Sequence, residues 1–197
     1  MPDTGAPYFI PFADPTDLVR DWPALSEDVA EQVALGLDEA GNAGIGSNVV
    51  QTVKTDAFTS TSATYTTVTG LSVTITPTTN TSKILLIAQI THGMNNSAGY
   101  GAFQVVRGAT DIYRGDAEGT RLRGVFGGFT QADLTNVSTS GSIVFLDSPE
   151  TDSPVTYNVQ VRTAFSGNVR INQPTQTLDG ESVVRGASSI TAIEVAQ

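Results

Sequence analysis

The sequence contains no cysteine and only one histidine. The absence of cysteine excludes a disulfide framework and thiolate metal sites. Zinc is usually held by several His or Cys side chains, which this chain does not possess. Any Ser-His-acid triad would have to use His92, and no G-x-S-x-G signature accompanies it. We therefore predict no enzyme, no metal centre and no cofactor, and we interpret His92 as a strand-end residue bonded to a loop.

Long apolar runs and charged residues are also scarce. No apolar run reaches the roughly 18 residues that a membrane-spanning helix needs, so we expect no membrane insertion. The first four residues have neither a basic stretch nor an apolar core, so we expect no signal peptide and synthesis in a cytoplasm. Charged residues make up only 15% of the chain. Thr, Ser, Asn and Gly fill the polar positions instead, which is common in all-β proteins with many turns.

The few charges are unevenly distributed. The chain has 20 acidic and 10 basic side chains, a net charge of −10. Residues 1–50 hold nine acidic side chains and one basic side chain, a net −8, which leaves −2 for the remainder. Such an acidic surface repels phosphates, so we expect no nucleic-acid partner. The acidic segment has two interpretations, simple solvation or docking onto a basic partner surface.

Residues 1–25 are predicted to form an extended arm, because five prolines fix the backbone and remove hydrogen-bond donors. Large apolar side chains stand among these prolines: Tyr8, Phe9, Ile10, Phe12 and Trp22. Water rarely surrounds so many large apolar groups in a short segment. The arm therefore either lies in a groove of another chain or packs on its own domain.

A short helix is predicted over residues 26–40. Ser26 can cap it, and Val29, Val33 and Leu37 share one face at i+4 spacing. A helix of this length is marginal alone, so it needs packing on the β domain or against copies of itself. In the second case the three residues form the seam of a trimer. Glycines follow, and we place the boundary between an arm-and-helix segment, 1–46, and a head domain, 47–197.

The head domain is predicted to be all-β. Residues 83–92 (KILLIAQITH) form the strongest strand, long and apolar enough to be central. Gly108 and Ala109 indicate a hairpin turn. The predicted strands cover residues 48–54, 63–68, 71–76, 83–92, 100–107, 110–113, one or two within 122–134, 142–146, 155–161, 168–172 and 189–195. These segments are candidates, and eight to ten antiparallel strands among them, at this spacing, predict a sandwich of the jelly-roll type.

Two loops concentrate carboxylates, and both have the composition of ordinary solvated turns. The acidic side chains of the two loops are Asp111, Asp116 and Glu118, and Asp147, Glu150 and Asp152. Calcium would accept such ligands, so a calcium site stays open as the alternative.

Two stretches resemble virion proteins of tailed bacteriophages. Residues 13–41 (ADPTDLVRDWPALSEDVAEQVALGLDEAG) are similar to leader segments of tail and fibre proteins. Residues 48–90, which begin NVVQTVKTDAFTSTSATYTTVTG, are similar to a domain recurrent in tail-fibre and minor tail proteins. Together they cover nearly half of the chain. The resemblance implies a structural component of a virion and carries no catalytic residue.

A second likeness is to the trimeric jelly roll of the C1q and tumour-necrosis-factor type. It rests on KILLIAQITH followed by YGAFQVVRGATDIY, and on the closing SSITAIEVAQ. Ile, Leu and Ala replace the aromatic residues usual in those strands. The resemblance implies a homotrimer with the final strand near the threefold axis.

These observations predict a trimeric fibre or spike of a virion, made in the host cytoplasm. Its arm docks on a tail, portal or capsid protein, and its head displays a surface to a host receptor or glycan. Tyr100 and Phe126, expected in loops, would either stack on sugar rings or belong to the core. A capsid decoration or cement protein is the alternative function.

Overall fold

The computed structural model describes residues 27–33, 45–95, 100–129, 136–164, 167–176, 179–181 and 183–195. Residues 27–33 form a helix, inside the predicted helical run. Nearly all other regular structure is β-strand, which confirms the predicted all-β class. The strands are β1 Ile45–Lys54, β2 Phe58–Ser60, β3 Thr66–Ile75, β4 Lys83–Asn95, β5 Tyr100–Arg107, β6 Thr110–Tyr113, β7 Phe126–Phe129, β8 Thr139–Asp147, β9 Val155–Ala164, β10 Asn168–Ile171 and β11 Ser188–Val195.

The strands form two antiparallel sheets that pack as a sandwich. In the first sheet β1 pairs with β11, β11 with β4, and β8 lies on the opposite side of β4. Strand β10 pairs with the end of β4, and β2 pairs with β10. In the second sheet the order is β3, β9, β5, and both β6 and β7 pair with the far edge of β5. The first strand lies beside the last, and β3, β4 and β5 alternate between the sheets, which is the connectivity of a jelly roll.

Strand β4 is the centre of the first sheet, as its sequence predicts. It has 13 residues and contacts three other strands through its backbone. The predicted hairpin between β5 and β6 is also present, and Gly108 adopts a φ of 57° in its turn. Glycine adopts this left-handed conformation at little cost, which explains its place there.

The core fills the space between the two sheets. Alternate residues of each long strand point inward, because successive side chains of a strand lie on opposite faces. Burying each large apolar side chain stabilises the fold by about 1.5–3 kcal/mol. The largest fully buried apolar residues are Leu71, Ile75, Ile84, Leu86, Ile90, Met94, Phe103, Ile143, Tyr157, Ile171 and Ile190.

A buried amide joins three strands of the first sheet at one end. Asn172, which follows β10, has a φ of 58°. Its Nδ2 donates hydrogen bonds to the carbonyl oxygens of Lys54 at 2.8 Å and Asp56 at 3.0 Å. Its Oδ1 accepts a hydrogen bond from Ser188 Oγ at 2.6 Å. All these polar groups are satisfied, so the amide fixes the ends of β1, β10 and β11 relative to one another.

Two details differ from the sequence prediction. The predicted strands 63–68 and 71–76 are one strand, β3, whose pairing with β9 shifts register between Thr67 and Ser72. Gly70 lies within this shift, so it marks a bulge and not a turn. Strand β2 was not predicted, because its three residues are too few to show a period.

Candidate functional site

The outer face of the first sheet carries a row of apolar side chains across four strands. The pairing registers align Val49 of β1 with Ile193 of β11, Leu85 of β4 and Leu146 of β8. Val49 is 53% exposed and Leu146 is 45% exposed. A row of four apolar residues, one from each of these four strands, therefore faces outward.

In the next row along the sheet, only the residues from β4 and β8 are apolar. It consists of Gln51, Thr191, Ile87 and Val144 in register. Ile87 is 40% exposed and Val144 is 59% exposed, and they pair directly across β4 and β8. The apolar surface is thus contiguous from Val49 to Val144. We call these six residues the apolar face: Val49, Leu85, Ile87, Val144, Leu146 and Ile193.

The apolar face arises because β4 and β8 are apolar on both of their sides. Ile84, Leu86 and Ala88 of β4 point into the core, while Leu85 and Ile87 point outward between them. Strands with continuous apolar runs are normally covered on both faces. Among the described residues, only the inner face of β4 is covered by another layer. The continuous run in KILLIAQI was the sequence signal for this surface, and the prediction used it only to place β4 at the centre.

The outer face of the second sheet has a different character. Its central strand β9 alternates strictly, with buried Val155, Tyr157 and Val159 separated by half-buried polar residues. Thr156 of β9 and Thr74 of β3 join their hydroxyls at 2.8 Å across the two strands. A polar outer face of this kind is adequately solvated by water. The outer side of the β3–β9 pair is therefore polar, in contrast to the apolar face of the first sheet.

The predicted docking residues all belong to the amino-terminal arm. Tyr8, Phe9, Ile10, Phe12 and Trp22 lie outside the described residues. Of the predicted helix seam, Val29 is half-buried and Val33 exposed, whereas Leu37 also lies outside the described residues. The particle-docking and seam roles therefore stay predictions.

The structure gives Asp147 a structural role. Its Oδ2 accepts hydrogen bonds from Tyr157 at 2.7 Å and from Arg107 at 2.9 Å. Burial and the neighbouring carboxylate raise the pKa of Tyr157 above its ordinary value, so Tyr157 stays a donor. Asp111, which the prediction placed in the other acidic loop, lies on β6 and pairs with Arg114 at 2.5 Å. No cluster of three or more potential metal-binding side chains occurs in the part of the chain that the structure describes.

His92 is buried within β4 and not at a strand end, which corrects the prediction. The strand continues to Asn95, and the ring of His92 lies 4.6 Å from that of Phe103 and 5.8 Å from that of Phe126. Its Nε2 hydrogen-bonds with the hydroxyl of Thr139 on β8 at 3.1 Å. Burial lowers the pKa of His92, which favours the neutral imidazole. The residue contributes to packing between the sheets.

The two aromatic residues considered for sugar stacking lie on strands and not in loops. Phe126 of β7 stacks on Phe103 at 4.5 Å and packs against the core. Tyr100, the first residue of β5, is 53% exposed. The structure therefore leaves Tyr100 as the accessible one of the pair.

Comparisons with known proteins give little. No protein-family model and no curated protein matches the chain. Among solved structures, the chain is similar to "Structure of infectious bursal disease virus Gx strain", with 15% identity and a TM-score of 0.38. The similarity covers 77% of this chain and 39% of that chain. At this TM-score the likeness carries no argument about fold or function. Within the described residues, no helix combines the length and hydropathy needed to cross a bilayer.

Proposed function

We propose that this protein is a non-enzymatic structural component of a virion, a homotrimeric fibre or spike of the tailed-bacteriophage type. Residues 1–46 dock on the particle, and the head, 47–197, projects from it. The apolar face is the observation that supports assembly. Monomeric proteins rarely expose apolar patches beyond a few hundred Å², and larger patches mark interaction surfaces.

A second copy of the chain is the occupant that best suits the apolar face. The last strand, β11, lies in the middle of this surface between β1 and β4. This place agrees with the resemblance to trimeric jelly rolls, which implies a final strand near the threefold axis. None of the six residues is charged, so three copies of the face that meet around a threefold axis bury no charge from these six positions. Stable interfaces bury roughly 800 Å² per partner, and a face spanning four strands supplies a continuous apolar centre for such an area.

The proposal predicts a mass of three chains in solution. Size-exclusion chromatography with light scattering should give three times the chain mass of 20.6 kDa. Val144→Lys places a charge on the exposed edge of the apolar face without touching the core, because Val144 points outward. It should shift the mass to one chain while the circular dichroism of the β head is kept.

Thr74→Lys is the matched control, since Thr74 is exposed on the outer face of the second sheet. It should remain a trimer. A wild-type monomer, or a Val144→Lys variant that is still trimeric, would show that this face does not hold copies together.

A further inference from the structure

The single histidine of the chain lies in the core beneath a short edge strand. His92 is 4% exposed, and its neighbours on the same side of β4, Ile90 and Met94, belong to the core. Strand β7 passes directly over the ring, since a Cβ added to Gly128 would lie 2.7 Å from Nε2 of His92. The backbone of β7 therefore covers the imidazole on this side.

The surroundings of the imidazole carry no charge. Strands β5, β7, β8 and β10 pack against it, and none of the described residues that they turn towards it has a titratable or charged side chain. These residues are Phe103 of β5, Phe126 and Gly128 of β7, Thr139 of β8 and Ile171 of β10. An imidazolium in this place would lose its hydration without gaining a counter-charge.

Hydrogen bonds do not compensate for such a charge. Nδ1 of His92 lies 3.4 Å from the Ile90 carbonyl oxygen, and Nε2 lies 3.1 Å from the Thr139 hydroxyl. The neutral ring already makes both contacts, because one nitrogen donates and the other accepts. Protonation turns the acceptor into a donor and adds no partner. Burial lowers the pKa of His92, and the Ile90 carbonyl offsets only part of this effect.

Of the strands around His92, β7 is held by the fewest backbone pairings. It pairs with β5 over four residues, and none of the described strands pairs with its other edge. By contrast, β8 pairs with β4 over nine residues, and β10 has a strand on each side. Two of the four residues of β7 are glycine, which weakens a strand. Elements with few contacts open locally at the lowest free energy.

We infer that β7 is an acid-sensitive cover of the core: as the pH falls below about 6.5, His92 takes up a proton and β7 leaves the sandwich. An open β7 lets water hydrate the imidazolium, whereas a closed β7 does not. Opening also removes Phe126 from Phe103, on which it stacks at 4.5 Å. The head therefore presents aromatic surface at acid pH and covers it at neutral pH.

Acid favours the open state because that state binds the proton more tightly. In the open state the pKa of His92 is near its ordinary value of 6.5, and in the closed state it is lower. The closed state is thus fully favoured above pH 6.5 and becomes less favoured as the pH falls from 6.5 towards the lower pKa.

Hydrogen exchange of the full-length protein, followed by mass spectrometry, tests the inference. Peptides that cover residues 126–129 should exchange roughly three- to tenfold faster at pH 5.5 than at pH 7.5, after correction for the intrinsic pH dependence of exchange. Peptides from β9, which is paired on both sides, should not change. In addition, the one histidine gives one imidazole resonance by NMR, which should titrate below pH 6.5.

Two variants remove the titratable group. His92→Gln keeps a neutral hydrogen-bonding side chain, and His92→Phe keeps an apolar ring. Either variant, once circular dichroism shows that it is folded at pH 7.5, should lose the acid-dependent rise in β7. Glu194→Gln is the matched control, because it removes a buried carboxylate whose pKa lies below 4.5 and keeps His92. It should show the wild-type rise.

Four results overturn the inference: equal exchange of β7 at the two pH values, a rise that persists in a folded His92 variant, a rise of the same size in β9, or a His92 resonance that titrates at or above pH 6.5. The NMR result needs no variant. The inference does not depend on the number of chains, so a monomer with an acid-sensitive β7 contradicts only the assembly proposal.

Discussion

The buried carboxylate of Glu194 connects several parts of this fold through hydrogen bonds. Its side chain is fully buried on the last strand. Its carboxylate accepts hydrogen bonds from the Thr78 backbone N–H at 2.7 Å, the Thr78 hydroxyl at 2.5 Å and Asn48 Nδ2 at 3.1 Å. Burial acts to raise the pKa of Glu194, but these donors and Ser82 hold it below its ordinary value of 4.5. The ionised carboxylate therefore ties β1 and the turn before β4 to β11.

The lowered pKa of Glu194 predicts acid sensitivity. A carboxylate whose pKa is lower in the folded chain adds stability above the unfolded pKa, and this stability is lost as pH falls through the folded pKa. Glu194→Gln should lower the free energy of unfolding at neutral pH by about 1–3 kcal/mol. As the pH drops below about 4.5, the free energy of unfolding of the variant should also fall less steeply than that of the wild type. Urea titrations across this range measure both effects.

The control for this prediction is Glu181→Gln, because Glu181 is exposed. It should follow the wild-type curve at each pH. If Glu194→Gln keeps the whole acid dependence of the wild type, the buried carboxylate is not its source.

At the scale of the element, the bulge in β3 decides how the second sheet is built. The register of β3 against β9 shifts between Thr67 and Ser72, and Gly70 has a φ of 78° within the shift. A Cβ on Gly70 would have room, since the nearest atom is Lys54 Nζ at 3.6 Å. The constraint on residue 70 is therefore its backbone conformation and not crowding. Two apolar segments of different register are joined into one strand by this glycine.

Gly70→Ala tests the cost of that conformation. An L-residue in the left-handed region is less stable by roughly 1–2 kcal/mol, so the free energy of unfolding should fall by about that amount. Denaturant unfolding of the purified protein measures it. Gly180→Ala, where φ is not left-handed and space is open, should be neutral or slightly stabilising. Equal stability of Gly70→Ala and wild type would show that the bulge relaxes without strain.

At the scale of the whole molecule, charge and apolar surface are separated along the chain. The first 50 residues carry a net −8, whereas the remainder carries only −2. The acidic segment also contains the aromatic arm, while the nearly neutral head contains the apolar face. We interpret this as a division of labour between attachment to the particle and display.

Deletion of residues 1–25 tests that division. The truncated chain should remain a folded trimer, because the apolar face belongs to the head. It should no longer join particles, because it lacks the five apolar residues of the arm for which we propose a docking role. Light scattering reports the assembly, and immunoblotting of purified particles reports incorporation. Thr74→Lys in the full-length chain should join particles as the wild type does. Incorporation of the truncated chain at the wild-type level would exclude the docking role.

Several features of the fold follow from the sequence because their causes are local. The apolar run of residues 83–92 is enough by itself to predict a central strand. Gly108 defines a hairpin through its own backbone freedom. In the ten residues of β9, buried side chains alternate with partly exposed ones, so one side of the strand faces the core and the other faces solvent. These patterns fix the all-β class and most strand positions without any knowledge of partners.

The candidate sites depend on residues that are far apart in the chain, so only the tertiary structure decided them. Val49 and Ile193 are neighbours because β1 pairs with β11, and no local pattern specifies that pairing. Gly127 and Gly128 are adjacent and chemically identical, yet Gly127 is exposed whereas Gly128 is buried against His92. A strand turns successive residues to opposite faces, and which face is inside depends on what packs against it. The sequence therefore determined the strands, and their register across the sandwich determined which side chains lie together at the surface.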